Sequence, residues 1–335
     1  MSRKRIAVIF GGRSPEHKVS LKSAASVLSN INQERFEIVP VGITREGEWL
    51  YYTGDIERIR DDTWHEDKEC LKPVTFDYGC GLKGLDGVLP VLHGQNGEDG
   101  TLQGMLSLAG IPVVGCGTLA SSLCMDKDRA HKLVSMAGIK VPNAVTFKRR
   151  QISSASEQIE RKLRYPLFVK PVRGGSSIGM SRIESEAELA AAVELAFRYD
   201  SEVTVEQEVQ GFEVGCAIIG NDELTVGRVD EIQLSCYFFD YNEKYTQNHS
   251  HIYMPARVDA DTERRIQETA KTIYRTLNCR GFARVDMFYT PEGEIVFNEV
   301  NTIPGLTEHS RFPQMMAGIG MSFTEMLDMI IDSCI

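Results

Sequence analysis

The chain has 335 residues, of which 42% are apolar and 25% charged, a composition typical of a soluble enzyme with two or three domains. Its formal net charge of −10 and its lack of long basic runs argue against a nucleic-acid-binding surface. Eight scattered cysteines without a C-x-x-C pair indicate reduced thiols in a cytoplasmic protein and argue against zinc, and no apolar run approaches the ~18 residues of a membrane span.

Residues 1–115 are predicted to alternate strands with helices. Strands are expected at 6–10, 36–43 and 87–92, and glycine-containing loops follow the first and third of them. Strand–glycine loop–helix units indicate a doubly wound parallel sheet, in which ligands bind at the carboxyl ends of the strands. The charged segment 55–72 is expected to be exposed.

The alternation of predicted strands and helices ends near residues 116–124. A central segment, 116–210, combines predicted helices with short strands, and the segment 211–335 is predicted to form a sheet with a helix at 260–277. The broad plan is therefore α/β followed by α+β.

A hairpin near the C-terminus groups four polar side chains. Its two strands alternate apolar and polar residues around the turn Thr290-Pro-Glu-Gly293, so Arg284, Asp286, Glu299 and Asn301 are expected on one face. Carboxylate and amide oxygens beside an arginine suit Mg²⁺ holding the phosphates of a nucleotide. The alternative is a surface hairpin with solvated charges.

A second candidate element is the Gly/Ser loop, residues 173–179. It lacks the G-x-x-x-x-G-K-[S/T] pattern and joins two predicted strands, so it is not a Walker A loop. Such a turn is suited to a flexible flap whose backbone N–H and hydroxyl groups contact phosphates, with Lys170 as a counter-charge. An ordinary hairpin is the alternative.

Two loops that follow predicted strands carry candidate substrate-binding residues. Glu16 lies at a predicted helix N-terminus, where it either grips a substrate amine or simply favours the helix macrodipole. His93 and Glu98 lie on a second loop of the same kind and are expected to converge on the same crevice, although a lone histidine is more often structural.

Two further segments give weaker signals. Glu206 and Val209 could meet an adenine edge and Glu213 the ribose hydroxyls, but an exposed acidic linker explains the same residues. The aromatic and charged segment 236–255 fits either a lid that closes on ligand or a plain surface loop.

Seven motifs occur in order along the chain: GG-x-S-x-E-H-x-V-S, H-G-x-x-G-E-D-G, M-D-K, V-K-P-x-x-x-G-S-S-x-G, D-Y-x-x-K-Y, R-x-D and N-E-x-N-T-x-P-G. Together they resemble the D-alanine–D-alanine ligases of the ATP-grasp fold, from Gly11 to about Ser322. The resemblance implies an N-terminal doubly wound α/β substrate-binding domain over 1–115. It also implies a central subdomain with the Gly/Ser phosphate loop over 116–210, and a C-terminal subdomain with the lid and the magnesium site over 211–335.

The resemblance also implies a role for each matching residue. The residues that bind ATP would be Lys127, Lys170, Ser177, Glu206, Val209, Glu213 and Lys244. Two Mg²⁺ ions, with Mn²⁺ as a substitute, would be held by Asp286, Glu299 and Asn301. In the catalytic group, Glu16 would bind the ammonium of the first D-amino acid. Ser176 and Tyr245 would hold Glu16 in place. Arg284 and the Gly305 amide would stabilise the tetrahedral intermediate. The substrate-binding residues would be His93, Ser310 and Arg311.

One departure from the family pattern concerns the acceptor. After His309-Ser310 the chain has Arg311, where alanine-using ligases typically carry leucine; arginine there resembles the vancomycin-resistance ligases. The retained Glu243-Lys244-Tyr245 resembles their D-alanine–D-serine type. An apolar pocket rejects an added hydroxyl only by roughly 100-fold, whereas a site that hydrogen-bonds the hydroxyl penalises its absence far more. Arg311 offers such donors, so D-serine is the predicted acceptor.

Three alternatives stay open. They are a housekeeping D-alanine–D-alanine ligase, another ATP-grasp carboxylate–amine ligase and, from a different class, an inactive nucleotide-binding regulator. The resemblance further implies a cytoplasmic homodimer that uses D-alanine and D-serine, or a second D-alanine, and binds neither nucleic acid nor membrane.

Overall fold

Three β-sheets flanked by helices make up the part of the chain that this computed structural model describes, residues 3–74, 82, 84–234 and 250–335. Lys244, Tyr245 and most of the predicted lid lie outside the described residues. No helix within these ranges is long and apolar enough to cross a membrane.

The N-terminal sheet has the strand order β4-β3-β2-β1-β5. Its strands are β1 Lys4–Gly11, β2 Phe36–Ile43, β3 Trp49–Tyr52, β4 Leu71–Pro73 and β5 Gly87–Val91. The accompanying helices are α1 His17–Asn30, α2 Ile56–Arg60 and α3 Thr101–Leu108. The prediction of parallel pairing is confirmed for β2, β1 and β5, whereas β3 and β4 form an antiparallel edge.

Both faces of this sheet are covered. Ile6, Val8 and Phe10 belong to one buried cluster with α1, while Ala7 and Ile9 belong to a second cluster with α3. Because successive side chains of a strand point to opposite faces, a continuous apolar strand is what a sheet buried on both faces requires. The first strand therefore reads as uninterrupted hydrophobic sequence, and the doubly wound arrangement follows.

The expectation that segment 55–72 is exposed is wrong in part. Ile59 is 1% exposed and Trp64 is completely buried. The Trp64 ring packs edge-on against Phe10 at 5.2 Å and Tyr52 at 6.0 Å between centroids. Single apolar residues between charged ones gave no periodic signal, yet they anchor this segment to the sheet.

The central sheet is antiparallel with the order β6-β9-β7-β8. Its strands are β6 Ala144–Lys148, β7 Leu167–Pro171, β8 Ser181–Ile183 and β9 Glu202–Gln207. The helices of this region are α4 Thr118–Met125, α5 Lys127–Met136, α6 Ile152–Lys162 and α7 Glu186–Ala196. The Gly/Ser loop joins the neighbouring strands β7 and β8, as the sequence predicts.

The C-terminal sheet is antiparallel with the order β12-β11-β10-β13-β14. Its strands are β10 Phe212–Gly220, β11 Leu224–Leu234, β12 Ser250–Tyr253, β13 Phe282–Tyr289 and β14 Ile295–Asn301. The helices that follow or cover it are α8 Ala260–Thr276, α9 Arg311–Ala317 and α10 Phe323–Asp332. The predicted hairpin is confirmed, with Arg284 opposite Asn301 and Asp286 opposite Glu299.

Gly42 on β2 is expected to be intolerant of a side chain. A Cβ atom there would lie 2.2 Å from Trp64 Cη2, inside the buried cluster. Gly42→Ala should lower the free energy of unfolding by about 1–3 kcal/mol because the indole must shift in a packed core. Urea denaturation measures the change. In the matched control Gly117→Ala, the new Cβ meets no atom within 4 Å, and equal losses in both variants would contradict the packing explanation.

Candidate active site

A cavity of about 510 Å³ lies where loops of the three sheets meet. Its walls come from the loops after β1 and β5, the Gly/Ser loop, strands β13 and β14, and the start of α9. The predicted site residues in the lining are Glu16, His93, Lys127, Ser176, Arg284, Glu299, Asn301, Gly305, Ser310 and Arg311. Other predicted residues are not part of this lining: Lys170, Ser177, Glu206, Val209, Glu213 and Asp286.

A hydrogen bond between described residues joins the Gly/Ser loop to the loop after β1. The Ser176 hydroxyl donates to the Glu16 carboxylate, and both side chains are buried. A Cβ at Gly94 would lie 2.3 Å from Glu16 Oε2, so this glycine leaves room for the carboxylate. Ser176 and Ser177 adopt left-handed φ values of 51° and 57°, a conformation that costs of order 1–3 kcal/mol per residue. The loop is thus held in a strained closed form against a carboxylate.

His93 and Glu98 join the loop after β5 to the loop after β14. His93 Nδ1 donates to Ile303 O at 2.9 Å, and its Nε2 lies 3.3 Å from the Ser23 hydroxyl. Burial lowers the pKa of His93, so the ring is neutral at pH 7. Glu98 accepts from Gly94 N at 2.9 Å and Ile303 N at 3.1 Å. Burial, reinforced by the nearby Glu16 carboxylate, raises the pKa of Glu98 to about 8.

The oxygen-bearing side chains of the C-terminal hairpin fit a hard divalent cation by their chemistry. Asp286 and Glu299 face each other across β13 and β14, and the Asn301 amide donates to Asp286 Oδ2 at 2.8 Å. Two carboxylates and an amide are the donors that Mg²⁺ favours. In the described residues no group of three or more His, Cys, Asp or Glu surrounds a common point. Bound phosphates would therefore have to complete the coordination.

Each of these two carboxylates is paired with a cationic side chain of the protein. Arg284 binds Asp286 through Nε and Nη2 at 2.8 and 2.7 Å. Lys127 Nζ lies 3.5 Å from Glu299 and donates to the Gly174 carbonyl at 2.6 Å. Lys127 thus connects the Gly/Ser loop to the hairpin. This position between the two elements is the one expected of a lysine that binds phosphate.

Glu206 presents an unsatisfied buried acceptor. It lies on β9 and is 4% exposed, with Oε2 paired to Lys170 Nζ at 2.7 Å. Although burial opposes it, Lys170 lowers the pKa of Glu206. Within the described part of the chain its Oε1 has no hydrogen-bond partner, and it lies 3.9 Å from His131 Nδ1. An exposed acidic linker is therefore wrong for Glu206, and the free oxygen is suited to an amino group such as that of adenine.

Arg311, the first residue of α9, is held by three carboxylates. Its Nε and Nη2 donate to Asp230 at 2.6 and 2.8 Å, and its Nη1 donates to Glu213 at 2.8 Å. Asp286 Oδ1 lies 3.4 Å from Nη2. Although burial opposes it, Asp230 and Asp286 raise the pKa of Arg311, so it stays charged. No described residue accepts the second N–H of Nη1.

Asp230 is a site residue that the sequence did not reveal. It is completely buried on β11 and also accepts from Gly215 N at 2.9 Å. Asp230 stands in the mixed run Arg228-Val-Asp-Glu231 of β11, and nothing in that run distinguishes it from its charged neighbours or names its partner.

Comparisons with known proteins assign both parts of the chain to the same family. A model of the D-ala D-ala ligase N-terminus matches residues 5–116, and a model of the D-ala D-ala ligase C-terminus matches residues 133–332. The solved VanG D-Ala:D-Ser ligase of Enterococcus faecalis is 62% identical, with a TM-score of 0.93 and 99% of each chain covered. The ATP-grasp fold that the sequence predicts is confirmed by these structural neighbours.

Relatives with other acceptors in their names are also similar. A D-alanine–D-alanine ligase of Caldicellulosiruptor bescii is 40% identical over 100% of this chain and 96% of its own length. A putative D-alanine–D-lactate ligase of Streptomyces coelicolor is 45% identical over 98% of this chain and 96% of its own length. Overall identity therefore does not fix the acceptor.

The raised pKa of Glu98 should make stability depend on pH. The unfolded chain ionises this carboxyl near its ordinary value of 4.5, while the folded protein keeps the proton up to about 8. Stability from this group is complete below pH 4.5 and is lost as the pH rises toward 8. Between those values, the melting temperature of the wild type should fall relative to that of Glu98→Gln. The exposed Glu157→Gln control should keep the wild-type slope, and a Glu98→Gln profile parallel to the wild type would contradict the assignment.

Proposed function

Because the chain belongs to the D-alanine–D-alanine ligase family, we propose that it joins D-alanine to D-serine at the expense of ATP. The product would be a peptidoglycan precursor of the vancomycin-resistance type, made in the cytoplasm. The observation that carries the choice of acceptor is the Arg311 guanidinium, fixed by Asp230 in the cavity wall beside Ser310. The solved D-Ala:D-Ser ligase at 62% identity supports the same choice.

Arg311 can recognise a hydroxyl because its orientation is set before the acceptor arrives. Asp230 takes two of its N–H groups and Glu213 a third, which leaves an N–H of Nη1 for a ligand. A buried donor that pairs with the serine hydroxyl is left unsatisfied by alanine, which penalises alanine strongly. Glu213 is also a proposed ribose ligand, so this carboxylate would connect the nucleotide site to the acceptor pocket.

The first half of the reaction activates D-alanine. Glu16, held by Ser176, binds the substrate ammonium, and the substrate carboxylate oxygen attacks the γ-phosphorus as ADP leaves. Lys127 and Lys170 offset the repulsion between the anions, and Ser177 covers the triphosphate. Glu206, Val209 and Glu213 hold adenosine. Ligases of this family use ATP with Mg²⁺, and Asp286, Glu299 and Asn301 would hold the cations that neutralise phosphate charge.

The second half forms the peptide bond. Ser310 binds the acceptor carboxylate, and the acceptor amine attacks the acyl carbon, loses a proton and displaces phosphate. Arg284 and the Gly305 N–H stabilise the oxyanion of the tetrahedral intermediate. The segment 236–255, with Lys244 and Tyr245, would close over the site and exclude water, because an acyl phosphate hydrolyses readily.

Three parts of the proposal stay predictions: two metal ions per site with Mn²⁺ as a substitute, the homodimer, and D-serine rather than D-alanine. The housekeeping D-alanine–D-alanine ligase is the nearest rival, supported by relatives of that name. An inactive nucleotide-binding regulator is disfavoured, because a protein that only binds a nucleotide has no need of Arg284 beside the oxygen donors Asp286, Glu299 and Asn301.

A competition experiment tests the acceptor directly. The protein is incubated with ATP, Mg²⁺, D-alanine and equimolar D-serine and D-lactate, and the products are identified by mass. D-alanyl-D-serine should predominate. A mixture dominated by D-alanyl-D-alanine would select the housekeeping alternative.

Glu299→Gln should reduce kcat by roughly a hundredfold or more, because a cation ligand contributes several kcal/mol of charge stabilisation. The free energy of unfolding should change little, since Glu299 is partly exposed to the cavity. Phosphate release under saturating substrates measures kcat, and Glu157→Gln is the matched surface control. Wild-type turnover in Glu299→Gln would remove the metal-site assignment.

Arg311→Leu should shift the product ratio from D-alanyl-D-serine toward D-alanyl-D-alanine by roughly tenfold or more, because the hydroxyl loses its donor. Arg311→Lys keeps the charge but lacks the fork that Asp230 binds, so its ratio should lie between the other two. Melting temperatures and ATP affinity of both variants report whether they fold. A folded Arg311→Leu variant with an unchanged ratio would refute the role of Arg311.

A further inference from the structure

Two lysines on the rim of the cavity have no role in the reaction as derived so far. Lys18 and Lys22 are four residues apart on α1, so their side chains leave the same side of the helix. Both line the cavity, and both are exposed to solvent. They form a positive edge on the wall that α1 contributes, which we name the lysine rim.

Among the described residues, the lysine rim lacks the counter-charge that Lys127, Arg284 and Arg311 have. Lys127 is paired with Glu299, Arg284 with Asp286 and Arg311 with Asp230. In the described part of the chain, no carboxylate lies within ion-pair distance of Lys18 or Lys22. The chain as a whole is acidic, with a formal net charge of −10, so two neighbouring lysines without an acidic partner among the described residues are a local excess of positive charge. Their charge is therefore available to an anion that enters the cavity.

The acceptor end of the cavity supplies the geometry. The wall formed by the loop before α9 contains Thr307, His309 and Ser310, and the lysine rim belongs to the same cavity. The Ser310 hydroxyl is hydrogen-bonded to Thr307 at 2.7 Å. The neighbouring Arg311 guanidinium is already paired with Asp230 and Glu213, so its charge is largely neutralised before an acceptor carboxylate arrives. A free amino acid carries a full negative charge on its carboxylate, and ammonium groups on the wall of the same cavity attract such a charge over about a Debye length, roughly 8–10 Å.

We infer that Lys18 and Lys22 form a carboxylate-attracting rim that favours acceptors with a free α-carboxylate over neutral analogues of the same shape. The inference rests on the proposed function in one respect, the assignment of the Ser310 end to the acceptor. Because the lysines are exposed, their contribution is screened and modest, and it affects capture of the acceptor rather than the chemical step.

The test compares charged and neutral acceptors in the double variant Lys18→Met/Lys22→Met. Methionine keeps the unbranched apolar stem and removes only the charge. With saturating ATP and D-alanine, KM for D-serine should rise roughly fivefold, the size expected of two exposed charges. KM for D-serinamide and KM for ATP should stay within about twofold, and kcat should be similarly unchanged. Raising the salt concentration from about 0.05 M to about 0.5 M should remove most of the difference between wild type and variant.

Three controls make the outcome decisive. Lys18→Arg/Lys22→Arg keeps the charge and should keep the wild-type KM, while Lys162→Met, an exposed lysine on α6, removes a distant charge and should have no effect. Melting temperatures report folding. Equal rises in KM for D-serine and D-serinamide, or no rise for either, would overturn the inference.

The same measurements with D-alanine and D-alaninamide separate this inference from the proposed function. If product masses show that only D-alanine is accepted, the choice of D-serine fails. The effect of the lysine rim is then still decided by the D-alanine pair, because both amino acids carry the same carboxylate.

Discussion

A buried array of alternating charges fixes the geometry of the end of the cavity that contains Arg311. Asp230 and Asp286 are at most 1% exposed, the guanidinium of Arg311 lies between them, and Arg284 pairs with both carboxylate oxygens of Asp286. A buried ion without its partner costs several kcal/mol, so each member constrains the next. Because these residues come from β11, β13 and α9, the array also sets how the helix meets the sheet.

The remaining walls of the cavity are positioned by the loop after β5 and by the Gly/Ser loop. Glu98 holds the loop after β5 to the loop after β14 through two backbone N–H groups, and it does so largely as a neutral acid below pH 8. Ser176 brings the Gly/Ser loop to Glu16. The acidic chain thus concentrates its positive groups where anionic ligands have to meet, and uses a protonated carboxyl where another negative charge would repel them.

The parts of the site that could be predicted from the sequence are those set by local periodicity. The hairpin places Arg284, Asp286, Glu299 and Asn301 on one face because alternation and a turn fix the register. Trp64 was not foreseen as core, because one aromatic residue among charges has no period. The partnership of Arg311 with Asp230 and Glu213 spans 81 and 98 residues. Sequence patterns predict contacts between residues that are close along the chain, not at such separations. The orientation of Arg311 therefore became known only from the packing of α9 on the sheet.

If Arg311 selects the acceptor as proposed, its pairing with Asp230 constrains how that preference could change during evolution. Loss of the arginine first would strand a completely buried aspartate, a cost comparable to a large part of the 5–15 kcal/mol that keeps an ordinary domain folded. Loss of the aspartate first would leave the arginine with Glu213 and Asp286 still beside it. The two substitutions are therefore epistatic, and the route with the less costly intermediate begins on β11, at a residue that is not part of the cavity lining.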